Sequence, residues 1–455
     1  MRKIILLFAA ASLISSCKIY RNFETPECGI ESQIVGEGES LAAESPVKLP
    51  SWKEFFTDNN LQLLIEKGLE SNADIKIARV NIESSKTMLL TSKLAYLPSI
   101  GINSATGSTS SFGGNALGQA YNLPISASWE LDLFGRIKNS KDQAKANLLM
   151  SEQYARLTEL EITTLIANSY YTLIMLDEQI AIANEFIENQ TKTLNAMRSL
   201  KEVGSQTETA VNQAEASLYS TYTTKKDLEY KLALVENTIS LLINEPPHAI
   251  ARTSYNNVAE LSGSIDECIS LETLSNRPDV KAAEYSLSSS FYGANIARSA
   301  IYPRISLSGS AGWTNSVGGI VNPGDLLLSA IGSLTAPIFN RNVNRANLNV
   351  AKNRYEQSLI GFEKALLKAG NEVNGLLAEQ ELMGQKRVYR KKQVEANKKA
   401  YQNSKLLMEH STSTYLDVLI SEASYLSSRL TDVGEWMVDN QCTINLYKAL
   451  GGDPK

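Results

Sequence analysis

The chain is written twice, and this duplication constrains its fold more than any other feature. Asp132-Leu133-Phe134-Gly135-Arg136 returns as Pro337-Ile338-Phe339-Asn340-Arg341, an offset of 205 between Phe134 and Phe339. The same offset carries Asp74-Ile75 onto Asp279-Val280 and Pro98 onto Pro303, so that Tyr96-Leu97-Pro98-Ser99-Ile100 matches Ile301-Tyr302-Pro303-Arg304-Ile305. One spacing shared by three separated places marks an internal repeat and not chance composition. Each half follows one plan: a helix, a proline, two strands, a Phe-x-Arg turn, a very long helix, a tip and a second long helix.

The strands follow the prolines. From Tyr121 to Leu131 apolar side chains alternate with small polar ones, and Ile305, Leu307, Gly309, Ala311 and Trp313 alternate with Ser306, Ser308, Ser310 and Gly312. A period of two places one set on each face of a sheet. Partner segments run from Ser99 to Ser111 and from Asp325 to Ala336. Phe112-Gly113-Gly114-Asn115 and Val317-Gly318-Gly319 supply turn-formers between them. Four segments of roughly ten residues, greasy on one face and small-polar on the other, match tilted transmembrane strands. A soluble hairpin pair packed on helices fits the same alternation. Four strands cannot close a barrel, and edges exposed to lipid leave unpaired backbone groups at a cost of several kcal/mol each. If these strands enter a membrane, several chains must pool them. Trp129 and Trp313 suit either an interfacial aromatic belt or packing within the sheet.

The helices are longer than a globular core needs. Phe134 to Gly204 holds no proline and no interior glycine after Gly135, and Arg341 to His410 is nearly as uninterrupted. Apolar residues recur every seven positions: Ile166, Leu173, Ile180, Ile187 and Leu194, with Ile162, Leu176, Ala183 and Met197 as a second seam. Val211, Leu218, Leu232 and Ile239 repeat the spacing, as do Ala214, Leu228, Val235 and Leu242. In the second half it runs through Leu348, Tyr355, Phe362, Ala369, Leu376 and Met383, then Leu416, Ala423, Leu430, Met437 and Ile444. Sustained sevens mean coiled-coil packing, and two seams let a helix touch a neighbour on either side. About seventy residues at 1.5 Å each span about 105 Å, a length suited to crossing a periplasm.

The first residues read as an export signal: Arg2 and Lys3, an apolar run from Ile4 to Ala11, and Leu13-Ile14-Ser15-Ser16-Cys17. A cysteine directly after small residues resembles a bacterial lipobox. That resemblance implies a signal peptide over 1–16 and a lipidated Cys17 heading a linker over 17–51; a plain signal peptide with Cys17 incidental is the alternative. Acyl chains anchor a protein to a bilayer without spanning it. No other stretch has eighteen apolar residues in a row, so further membrane contact must come from strands. The net charge of −5 with mixed signs argues against nucleic-acid binding. Cys28, Cys268 and Cys442 form no CxxC pair and read as packed thiols, although export would permit a disulfide. His248 and His410 lack neighbouring ligands and read as surface residues. No nucleophile–base set, phosphate-cradling loop or metal spacing is present, so no cofactor and no enzymatic activity is expected.

Five segments in order resemble the TolC-like outer-membrane efflux protein family, from about Trp52 to the end. They are Ser128-Trp129-Glu130-Leu131-Asp132-Leu133-Phe134-Gly135-Arg136; Asn276-Arg277-Pro278-Asp279-Val280 with Ala283-Glu284; Ala336-Pro337-Ile338-Phe339-Asn340; Tyr415-Leu416-Asp417-Val418-Leu419; and Leu446-Tyr447-Lys448-Ala449-Leu450-Gly451-Gly452. The resemblance implies a mainly α fold with a transmembrane β-barrel contribution. It implies a homotrimer pooling a twelve-strand barrel on a twelve-helix periplasmic tunnel. It further implies an outer-membrane exit duct for small toxic compounds, partnered by a periplasmic membrane-fusion adaptor and an inner-membrane RND-type pump. A type I protein secretion duct shares the fold, and a periplasmic coiled-coil scaffold is the non-transport alternative.

The repeats are expected over 52–250 and 251–455. Their strands are expected near 99–111, 119–131, 304–316 and 325–336, and their long helices near 134–203, 207–243, 341–409 and 412–450. Pore-facing charges and tips carry function in such a tube. Glu208 and Asp417, just past the two tips, are the candidates for the constriction, with Thr412 and Tyr415 beside them. Each carboxylate could instead support the first turn of its helix. Adaptor docking is expected at Val203, Gly204 and Ser205 and at Met408, Glu409, His410, Ser411, Thr412 and Ser413. The family usually carries glycine before each tip, where this chain has Gly204 and His410.

Overall fold

Strand and helix alternate along the chain as the duplication requires. The computed structural model describes residues 22–26, 49–102, 105–109, 118–258, 261, 271–315, 325–410 and 414–452. Cys17, Cys28, Cys268, Ser411, Thr412, Ser413 and both glycine turns of the strands lie outside the described residues. The elements are α1 (Trp52–Phe55), α2 (Asn59–Ser71), α3 (Ala73–Leu94), β1 (Ser99–Ile102), β2 (Ala105–Thr109), β3 (Gly118–Leu131), α4 (Arg136–Glu202) and α5 (Glu208–Leu242). The second half supplies α6 (Leu271–Ser275), α7 (Pro278–Ser299), β4 (Arg304–Asn315), β5 (Asp325–Thr335), α8 (Val343–Glu409) and α9 (Tyr415–Ala449). The chain forms two compact units, each drawn from both halves: a strand unit (80–153 and 281–365, with the N-terminus to 29) and a helical unit (30–79, 154–280 and 366–455).

In the strand unit the sheet is antiparallel in the order β1–β3–β4–β5, with β2 also pairing β3. Register places the apolar side chains together: Ile100 opposite Ala127, Ile102 opposite Ile125, Trp129 opposite Leu307, Leu123 opposite Trp313, Ala311 opposite Leu328 and Ile305 opposite Leu334. Residues directly opposite share a face, so these line one side. Most of its large side chains are bare, from 39% exposure at Trp129 to 75% at Leu328, with Ile305 half-buried. The other face carries a hydroxyl ladder, with Ser99–Ser128 at 3.0 Å, Ser306–Ser333 at 2.6 Å and Ser310–Ser329 at 2.7 Å; the register also places Ile331 and Leu327 there. Pro124, which has no N–H for the ladder, sits opposite Gly312. A Cβ on Gly312 would meet the backbone of Leu123 and Pro124 at 2.4 Å.

The two halves differ where the strands hand over to the long helices. In the first, Gly135 takes φ +66°, and the Asp132 carboxylate accepts from the N–H groups of Ile137 and Lys138 at 3.0 and 2.8 Å. Glu130 grips Arg136 bidentately at 2.7 Å. In the second, Arg341 and Asn342 are both left-handed, at φ +45° and +64°. Two extra residues are thereby absorbed, and the offset grows from 205 to 207. Beyond them the halves match element for element: α4 and α8 each have 67 residues, α5 and α9 each 35. At 1.5 Å per residue the longer pair extend about 100 Å. Both shorter helices end in the same reverse turn, with Asn244 (φ +56°) and Gly451 (φ +93°) left-handed. There the N–H groups of Glu245 and Gly452 close onto the carbonyls of Ser240 and Tyr447 at 2.8 and 3.1 Å.

The core of the helical unit gathers Phe55, Phe56, Ile166, Tyr170, Ile174 and Tyr447. Around it two arginines each clasp one long-helix pair. Arg252 holds Asp177 of α4 at 2.5 and 2.9 Å and Glu236 of α5 at 2.7 Å. Arg277 holds Asp279 at 3.0 and 2.9 Å, Glu372 of α8 at 2.8 Å and the Ala449 carbonyl of α9 at 2.6 Å. Cys442 is a buried free thiol donating to the Leu376 carbonyl at 3.2 Å. No described helix is long and apolar enough to cross a membrane.

Candidate functional site at the helical tip

Within the helical unit, side-chain contacts connect α4 to α5 and to α9, and α9 to α8, while α9 also packs against α5. Gln190 of α4 donates to Ser217 of α5 at 3.2 Å. Gln179 of α4 donates to the Leu430 carbonyl of α9 at 2.8 Å, and Arg429 of α9 pairs Glu185 of α4 at 2.5 Å. Arg390 of α8 grips Glu435 of α9 at 3.0 and 2.7 Å, and Arg387 pairs Asp439 at 2.6 Å. Hydrogen bonding by Arg390 outweighs burial and holds the Glu435 carboxyl below the usual range. At the tip all four helices share one apolar cluster: Leu194 and Met197, Ala210 to Leu218, and Tyr415 and Val418, with Tyr401 and Met408 packed on it.

The first tip turns through Gly204 at φ +77°, where the N–H groups of Gly204 and Ser205 close onto the Lys201 and Leu200 carbonyls at 2.9 and 2.8 Å. Val203 is 74% exposed. Thr207 then caps α5, accepting from the Ala210 N–H at 3.2 Å. With helix lengths matched at an offset of 207, His410 corresponds to Val203 and not to Gly204. Its N–H bonds the Leu406 carbonyl at 3.2 Å, as that of Val203 bonds Ser199 at 3.3 Å. The expected pairing of His410 with Gly204 is therefore one residue out of register. The counterpart of Gly204 is Ser411, which with Thr412 lies outside the described residues; Met408 packs against the tip cluster, and Glu409 is the last residue of α8.

Glu208 is exposed and pairs Lys201 across the tip. Asp417 is exposed, and its carboxylate accepts from the Thr414 N–H and hydroxyl at 3.0 and 2.8 Å, closing a capping box at the start of α9. The helix-supporting role weighed for Asp417 is thus realised in its hydrogen bonds. Tyr415, expected beside the constriction, is instead a core residue at 6% exposure, and burial pushes its phenol pKa up. Its ring is large and apolar enough to fill the tip cluster.

Sequence reasoning missed Glu422. The expected seam Leu416–Ala423–Leu430 holds only from Leu430 onward; nearer the tip Leu416 is 51% exposed while Glu422 is buried at 3%. A carboxylate offers no hydrophobic signal, so periodicity placed it on the solvent face. The hub role of Arg277 was also missed, although its Asn-Arg-Pro-Asp motif stood out. Among the described residues no group of three or more His, Cys, Asp or Glu side chains is placed to hold a metal.

A sheet bare on one face and very long paired helices together set the class of fold to which the chain belongs. The profile of the family described as outer membrane efflux protein matches residues 64–245 and 270–452. The chain belongs to the outer membrane efflux protein family. It is 26% identical over 451 residues to the cation efflux system protein CusC of Escherichia coli K12, covering 98% of this chain and 99% of that one. It is 25% identical to the probable outer membrane lipoprotein SilC of Salmonella typhimurium, covering 88% and 87%. Among solved structures, CusC superposes with a TM-score of 0.86 at 24% identity over 96% of this chain and all of that one. The open-state MtrE outer membrane channel of Neisseria gonorrhoeae gives 0.82 at 27% identity over 96% and 99%.

Proposed function

We propose that three copies pool their strands into a twelve-strand barrel in the outer membrane and their long helices into a twelve-helix periplasmic duct. Through it, small toxic compounds pass from a periplasmic adaptor and an inner-membrane RND-type pump to the exterior. The observation that carries this reading is the bare apolar face of a sheet that ends on β1/β2 at one side and β5 at the other. The long helices also carry unspent apolar side chains: Tyr219, Tyr230, Leu234 and Leu241 on α5, and Leu382, Tyr389 and Leu406 on α8. A head-to-tail contact repeated about one axis closes both rings together. The number three rests on the family likeness. Lipidation at Cys17, removal of 1–16 and the repeat bounds 52–250 and 251–455 belong to the same proposal.

Around such an axis each exposed tip carboxylate becomes a ring of like charge, which makes Glu208 and Asp417 the candidates for closure. The purified chain is expected to form long-lived conducting units in planar lipid bilayers, and Asp417→Ala to raise their conductance. Because the substitution also removes a cap worth about 0.5–2 kcal/mol, Asp417→Asn serves as control. A rise in both variants assigns the effect to charge, a rise in Ala alone to the cap, and no change removes Asp417 from the gate. Absence of conducting units from the native chain would refute the duct.

A further inference from the structure

We propose that Glu422 is a proton-operated latch, holding the four tip helices together when its carboxyl is protonated and loosening them when it ionises. The latch is a property of the helical bundle; only its consequence for conductance rests on the duct reading.

Glu422 lies on α9 two turns from its start, 97% buried in effect, at 3% exposure, where the apolar tip cluster gives way to a polar layer. Every helix of the bundle contributes to that layer. From α8 the Tyr401 hydroxyl donates to Glu422 Oε1 at 3.3 Å. From α4 the Gln190 side chain lies within hydrogen-bonding reach, and its own amide donates to Ser217 of α5 at 3.2 Å. Gln190 Oε1 is buried and has no donor among the described residues. A protonated carboxyl adds a donor to a layer short of one, whereas a carboxylate adds only acceptors.

Among the described residues no cation forms an ion pair with Glu422. Lys405 of α8 acts on Glu422 only from beyond ion-pairing distance. On α4 and α5 the ionisable residues of the neighbouring turns are already engaged: Glu185 with Arg429 of α9 at 2.5 Å, and Arg198 with Glu215 at 3.6 Å. On α9 itself the titratable neighbours are two phenols, the buried Tyr415 and Tyr425, whose ring stacks on that of Tyr401. Burial, only partly offset by Gln190, Tyr401 and Lys405, raises the carboxyl pKa above its ordinary value. Protons have a route to it. A groove of about 680 Å³ lined by Gln190, Ser217, Thr221, Ser427 and Thr431 opens beside the layer.

The sign follows from this displacement. A carboxyl whose pKa is higher in the packed bundle than when solvated binds its proton more tightly in the packed state. Packing is therefore favoured at acid pH and weakens as pH rises. Between the solvated and packed pKa values the opening equilibrium grows about tenfold per pH unit, the factor that one pKa unit represents.

The test is amide hydrogen exchange of residues 415–425 in the full-length protein in detergent, from pH 4.5 to 9 and normalised to intrinsic exchange. The native chain is expected to lose protection with rising pH, and Glu422→Gln, uncharged throughout, to stay flat. Tyr401→Phe should keep the slope while displacing its midpoint, which covers the case of a poorly folding Gln variant. A flat native profile, or an unaltered slope in Glu422→Gln, overturns the latch. If exchange responds but neither protein conducts in bilayers, the latch stands and the duct reading falls.

Discussion

Leu328→Lys is expected to eliminate detergent-stable oligomer from the membrane fraction, while Ser329→Lys, one residue further on, leaves most of it intact. Leu328 stands 75% exposed on the apolar face, opposite Ala311, which is in turn opposite Ile125. Ser329 points the other way and meets Ser310 at 2.7 Å. If the apolar face contacts lipid, a lysine near mid-strand costs roughly 2–4 kcal/mol per copy, and an assembly of three carries it three times. On the hydroxyl face the same lysine meets water. A one-residue difference in position thus separates lipid from lumen, because side chains alternate with period two. Semi-native electrophoresis of detergent extracts checks both variants side by side; equal oligomer in the two would mean that the faces are not distinguished by lipid.

The second large effect is expected at Arg277. Its side chain is only 7% exposed and joins the start of α7, the middle of α8 and the end of α9. Arg277→Ala leaves Asp279 and Glu372 without their cation and the Ala449 carbonyl without its donor. Breaking a buried ion pair from one side costs about 3–5 kcal/mol, since the remaining charge stays desolvated. Arg277→Lys should recover only part of this, because a single ammonium cannot reproduce the fork held by Asp279. Thermal unfolding of the purified protein measures the loss. Its pH dependence adds a sign. Burial raises the Asp279 pKa, but hydrogen bonding and charge from Arg277 more than offset that and hold it below its ordinary value. The native protein therefore gains stability from this pair above the unfolded carboxyl pKa and loses it as pH falls. In Arg277→Ala burial is opposed only by the backbone N–H groups of Asp279 and Val280, so this contribution should weaken and the destabilisation should shrink toward acid pH.

Much of this architecture was legible because it is periodic. Alternation in Ile305, Leu307 and Trp313 fixed a face of the sheet, and sevens in Ile166, Leu173 and Leu194 fixed the seam of α4; Ile166 and Leu173 are fully buried. The duplication placed each element twice, so every reading had a check. What escaped was aperiodic. The left-handed residues Arg341 and Asn342 carry the repeat from an offset of 205 to 207, so the pairing of Gly204 with His410 fell one residue short of Ser411. Buried polar groups escaped for a different reason. Glu422 and Arg277 carry the composition of surface residues, and only the arrangement of partners around them reveals their burial. Tyr415 shows the converse: named for its place beside the tip carboxylates, it packs its ring into the tip cluster.

The account depends most on lipid contact by the apolar face of the sheet, and native tryptophans report on it. Trp129 and Trp313 lie on that face, whereas Trp52 is buried at 3% and Trp436 packs against Tyr171 and Tyr255 in the helical unit. In vesicles containing brominated lipid, a fraction of the fluorescence is expected to be quenched, and that fraction should disappear in the Trp129→Phe/Trp313→Phe protein. Fluorescence from the native chain that is indifferent to brominated lipid would contradict the placement of the sheet in the membrane.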